Sequence, residues 1–144
     1  MAILAGTFRV MRSTFACLFF LATAATAQDG LTPMTAAEFE AYTTGKTLSY
    51  ATEGNTPYGA EEYLPGRFVR WAFTGQECKD GQWFEQSDLI CFVYEDNPEP
   101  QCWSFFLTPQ GLRAQFENRD GMAPLYQINE SAEPLFCPGP QIGV

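Results

Sequence analysis

Between residues 35 and 45 the apolar Phe39 and Tyr42 fall three apart, and from residue 46 onward the apolar positions repeat at two. The chain therefore opens with one helix and continues as strands. Thr35 and Glu38 form a T-x-x-E capping box, and Met34 stands where it can staple onto Phe39. Phe39 and Tyr42 give the helix one apolar stripe, and Gly45 supplies its left-handed stop. Such a helix has to dock, and a sheet face is the expected surface. Strands are predicted at 47–50, 67–73, 76–85, 89–94, 101–107, 112–116 and 125–128, with Pro65-Gly66 and Thr74-Gly75 as turns. Residues 58–64 carry no clear period. Asp80-Gly81 reads as a bulge or a second tight turn. The run 95–100 reads as a break between strands, because Pro98 and Pro100 remove ladder donors. The tail from Pro134 should be irregular, held through Cys137. The pattern predicts a mainly β fold, an antiparallel meander forming a curved sheet or small barrel with one short N-terminal helix. No strand–helix alternation follows, which excludes an α/β reading.

Residues 1–27 read as a signal peptide: Arg9 and Arg12 precede an uncharged apolar run at 13–25, and Ala25-Thr26-Ala27 is a small-x-small cleavage site. The run is shorter than the roughly 20 residues a membrane-spanning helix needs, so no stable membrane anchor is expected. Cleavage leaves 28–144 as a single disulfide-stapled β-rich domain, periplasmic or secreted.

Charge narrows the partners. Of 8 Lys and Arg, two leave with the signal, and all 17 acids stay, so the mature net charge is −11. Nucleic acid is disfavoured, whereas a cationic protein or cationic small molecule is attracted. The chain holds no histidine. That removes the Ser-His-Asp and Cys-His systems and the usual His-containing metal sites. No catalytic residue, metal site or cofactor is assigned. Glu95, Asp96 and Glu99 surround a loop but lack calcium-hand spacing, and a solvated loop is the expected reading.

Cys78, Cys91, Cys102 and Cys137 remain after export, an even set that reads as two disulfides with three possible connectivities. If Cys91 faces Cys102, then Ile90 opposes Trp103 and Phe92 opposes Gln101. Ile90, Phe92 and Tyr94 then share a face with Trp103, Phe105 and Leu107. Cys78 would then pair with Cys137 and pin the tail. The competing arrangement is Cys78 with Cys91 and Cys102 with Cys137.

Eighteen of the 22 aromatic residues lie beyond residue 27. Trp71, Trp83 and Trp103 fall on three predicted strands, and with Tyr50, Tyr63 and Tyr94 they are candidates to line a ligand cavity. Large rings also serve simply to fill a small core. Adjacent Glu61 and Glu62 would point to opposite faces of a strand and could not act as a pair.

The run Gly81-x-Trp83, Ile90-Cys91-Phe92-x-Tyr94 and Cys102-Trp103-x-Phe105, preceded by Gly45-Lys46-Thr47-Leu48, resembles small exported alphaproteobacterial proteins of unknown function. The similarity covers roughly residues 35–106. It implies a periplasmic or secreted β-rich domain and supplies no catalytic residues. The expected role is a non-catalytic binding or interaction module with an acidic surface. The alternatives are a small-molecule carrier with an aromatic-lined pocket and, behind it, a small carboxylate-dependent hydrolase.

Overall fold

The structure, a computed structural model, describes residues 31–139; the expected signal peptide and its cleavage site lie outside the described residues. Helix α1 (Ala36–Thr43) is followed by β1 (Thr47–Ala51), β2 (Pro57–Tyr63), a 3-10 turn (Pro65–Arg67), β3 (Phe68–Phe73), β4 (Lys79–Gln86), β5 (Leu89–Tyr94), β6 (Asn97–Thr108), β7 (Gly111–Phe116) and β8 (Leu125–Ser131). Each strand pairs antiparallel with the next, and β8 returns to β1, so the meander closes into an eight-stranded barrel. Closure removes both sheet edges. It is assisted by irregularities at Tyr50, where β1 shifts register against both neighbours.

The β5–β6 register matches the spacing argument: Cys91 faces Cys102, Ile90 faces Trp103 and Phe92 faces Gln101. Cys91–Cys102 and Cys78–Cys137 are the disulfide pairs, separated by 11 and 59 residues along the chain. By loop entropy they are worth about 3 and 4 kcal/mol respectively. Disulfides of this kind persist in oxidising compartments. The second one fastens the irregular tail. Leu135 N donates to Glu62 Oε2 at 3.2 Å and Thr47 Oγ1 donates to Glu133 O at 2.7 Å, which lays the tail along the outside of β1 and β2.

Three local expectations are corrected. Residues 58–63, with Pro57 before them, supply β2, whose period is masked because Gly59 and Glu61 occupy inward positions alongside Tyr63. β4 runs through Asp80-Gly81 without a break, Gly81 pairing with Val69 on one side and Tyr94 on the other. Only Glu95 and Asp96 turn the chain, and β6 includes both Pro98 and Pro100. The prolines are tolerated because β7 does not reach that far: its ladder with β6 begins at Trp103–Phe116. Beyond it the Asn118 side chain takes over, donating to Pro100 O at 2.9 Å and accepting from Cys102 N at 2.6 Å.

Helix α1 docks on the inner face of the sheet, as its single apolar stripe requires, and closes one end of the barrel. Its capping box is formed, with Glu38 N donating to Thr35 Oγ1 at 3.3 Å and Thr35 N to Glu38 Oε2 at 2.8 Å. Gly45 ends it at φ +82°, a conformation that costs glycine little. Phe39, fully buried, points into the barrel among Tyr63, Trp83, Phe92 and Phe105, with ring centroids 4.4–6.3 Å away. Arg67 clamps the helix from outside, bonding Glu40 at 2.9 Å and stacking 4.5 Å over Trp83. The barrel interior is mainly apolar, while Glu62, Arg70 and Asp80 form an ion network on the outer wall. None of the described helices is long and apolar enough to cross a membrane.

Candidate binding cavity

With α1 filling one end, the inward rings near the other end leave a cavity of about 270 Å³. Tyr63, Phe92 and Phe105 form its floor, directly above Phe39. Its walls carry Tyr50, Trp71, Tyr94 and Trp103, and its mouth lies among Phe73, Gln76, Glu77, Lys79, Asp96 and Asn97. The volume lies just below the lower end of small-molecule sites, about 300 Å³.

Five of the six aromatic residues singled out from the sequence, Tyr50, Tyr63, Trp71, Tyr94 and Trp103, line this cavity. Trp83 does not. It sits toward the closed end, 5.2 Å from Phe39, where it belongs to the plug.

Two glycines make room for the walls. A Cβ on Gly59 would stand 2.5 Å from the Trp71 ring, and one on Gly81 would stand 2.7 Å from the Tyr94 ring and 2.5 Å from Val93 O. Each glycine lets an aromatic side chain from the next strand pass close to its backbone. Gly81→Ala is therefore expected to destabilise the fold by about 1–3 kcal/mol, the usual cost of overpacking, and to push Tyr94 out of place. Urea titration measures the first effect. Unchanged stability would show that the ring is not held there.

Among the described residues the one buried acid is Glu61, 4 % exposed on β2 and facing the cavity. The Tyr94 hydroxyl lies 3.0 and 3.1 Å from its two oxygens and donates to them. Opposite, the Tyr50 and Tyr63 hydroxyls bond each other at 2.9 Å. Burial pushes the Glu61 carboxyl up to about 8, against the opposing pull of the Tyr94 hydrogen bond. At neutral pH it therefore holds its proton. The Tyr50, Tyr63 and Tyr94 phenols are raised as well, chiefly by burial, and stay neutral.

Glu61 escapes a reading of the sequence because the segment around it shows no clear period. Its two-residue offset from Tyr63 was the available signal. Glu62 points the other way, to Arg70 and the tail, as expected for adjacent strand positions.

Chemically the cavity offers the Glu61 carboxyl, the phenols of Tyr50, Tyr58, Tyr63 and Tyr94 and several ring faces, with Glu77 and Asp96 at its mouth. Asp96 at the mouth is paired to Lys79 at 3.3 Å. Among the described residues no group of three Cys, Asp or Glu converges to hold a metal ion. Glu95 is occupied elsewhere, its Oε1 accepting from Asp80 N at 3.2 Å. No protein-family model matches the chain, and neither a curated protein nor a solved structure matches it.

Proposed function

We propose that this chain is a non-catalytic small-molecule binder, working in the periplasm or outside the cell after export, with the barrel lumen as its site. The observation that carries the reading is the aromatic cavity of about 270 Å³ between the α1 plug and an open mouth. Filling space for stability alone would call for a lumen closed at both ends, since voids cost stability. Glycines that admit wall rings, and a buried carboxyl with a single hydroxyl partner, suit a pre-formed pocket with few polar handles. Catalysis by paired carboxylates finds little support, because Glu61 is the one acid seated within the lumen wall, among the described residues, and the acids at the mouth lie with solvent-facing loops.

The test uses the neutral apolar dye N-phenyl-1-naphthylamine. The protein is expected to bind it with a 1:1 end point and a rise in dye emission. Ala114→Phe places a ring in the lumen between Phe105 and Leu125, where Ala114 is buried, and is expected to weaken binding at least tenfold while the circular dichroism is retained. No binding by the parent protein, or equal binding by the folded variant, would remove the lumen from consideration.

A further inference from the structure

We propose that the ligand is a small organic cation, an apolar body with one ammonium head, seated against the Glu61 carboxylate. The inference rests on the lumen being a binding site, and adds its ligand class. Glu61 faces Leu48 on β1 and Trp71 on β3 across the ladder, with Tyr94 of β5 as its hydrogen-bond partner. The titratable groups around it are the phenols of Tyr50 on β1, Tyr63 on its own strand and Tyr94 on β5. Beneath them α1 contributes Phe39, and β6, β7 and β8 contribute Trp103, Phe105, Ala114 and Leu125, all uncharged. Charge returns only at the mouth, where Lys79 of β4 is paired with Asp96 and Glu77 adds a further acid.

The lumen thus holds an acid without a cation. The ion pairs of the described residues link Lys46, Arg67, Arg70 and Lys79 to other carboxylates, and none involves Glu61. For stability alone the acid is a poor choice, since an uncharged side chain of similar size would avoid its desolvation. A bound ammonium supplies the missing partner. The surrounding Tyr50, Trp71 and Tyr94 rings present the electron-rich faces that attract such a head. An anion would meet the carboxylate and the same ring faces with the wrong sign. The acidic chain, at net charge −9, favours approach of cations over the whole surface.

Binding then exchanges ions. The Glu61 carboxyl gives up its proton to solvent as the ammonium enters, and the lumen stays neutral in both states. Affinity for a cation of fixed charge rises with pH up to the carboxyl's ionisation near 8 and levels off above it.

Benzyltrimethylammonium and its uncharged carbon isostere, neopentylbenzene, separate the possibilities. Binding is followed by the emission of Trp71 and Trp103 and by calorimetry in two buffers of different ionisation heat, from pH 6 to pH 9. The expected result is at least a tenfold preference for the cation at pH 9. Its affinity should weaken about tenfold per pH unit below the carboxyl's ionisation, with up to one proton released per cation. Glu61→Gln should abolish the preference and the pH dependence while still binding the isostere, which also reports that the variant is folded. Should that variant not fold, proton release by the parent protein decides alone. Equal binding of both probes, or cation binding without proton release and unchanged in Glu61→Gln, overturns the cation assignment and leaves the lumen reading in place. Failure of both probes overturns the cation assignment, and dye binding blocked by Ala114→Phe then judges the lumen separately.

Discussion

Replacing Phe39 by alanine is expected to lower the unfolding free energy by about 3–5 kcal/mol, the range for deleting a fully buried aromatic ring. The ring is completely buried, and four inward rings from β2, β4, β5 and β6 meet it. Helix α1 has only 8 residues, too few to persist without tertiary contacts. Phe39 is its largest docking group; Ala36 and Thr43, the other buried residues of the helix, add little volume. Removing the ring empties the space below Tyr63, Phe92 and Phe105, so the floor of the cavity also loses its support. A fall in melting temperature of more than 10 °C is expected for a domain of this size, at about 4–8 °C per kcal/mol. Arg67→Ala provides the contrast. It cuts the half-exposed ion pair to Glu40 and the stacking on Trp83, and should cost about 1 kcal/mol. If both variants lose the same small amount, the helix is held by something other than its buried ring.

What the sequence makes legible follows from where the alternation is strong. The strands at 89–94 and 101–107 carry large apolar residues at every second position, and one cysteine pair suffices to set their register. The capping box is equally local, so the helix start could be read from four residues. Barrel closure was one of two open outcomes, because the pairing of β8 with β1 joins segments some 80 residues apart through polar positions such as Ser49 and Asn129. The prolines at 98 and 100 mislead for a related reason. Whether a missing N–H matters depends on whether a neighbouring strand extends far enough to need it, which is a tertiary fact. Gly81 reads as a break locally, yet its role is to lie beneath the Tyr94 ring. Glu61 is the most instructive case. Acidic residues are usually outside, so an inward carboxyl between Gly59 and Tyr63 suppresses the very alternation that would place it.

Glu61 should also leave a signature in the pH dependence of stability. In the unfolded chain its carboxyl ionises near 4.5, and in the folded barrel burial raises this to about 8. Below the lower value both states hold the proton and the group contributes no slope. Between the two values only the folded state holds it, so unfolding releases a proton and stability falls as pH rises, by about 1.4 kcal/mol per unit. Above the higher value both states are ionised, and the accumulated loss, on the order of 5 kcal/mol, stays constant. Glu61→Gln keeps a neutral polar group beside Tyr94 and has no such slope. Relative to pH 5, the variant should therefore gain on the parent protein by several kcal/mol at pH 9. Taking the difference between the two proteins cancels the surface acids, including Glu38, whose carboxyl is lowered by the Thr35 backbone hydrogen bond and acts in the opposite sense below 4.5. The raised phenols of Tyr50, Tyr63 and Tyr94 act only above 10, outside the range. Urea midpoints at unit steps from pH 5 to pH 9 make the comparison. Parallel curves would mean that Glu61 ionises alike in both states, and hence that water reaches it in the folded barrel.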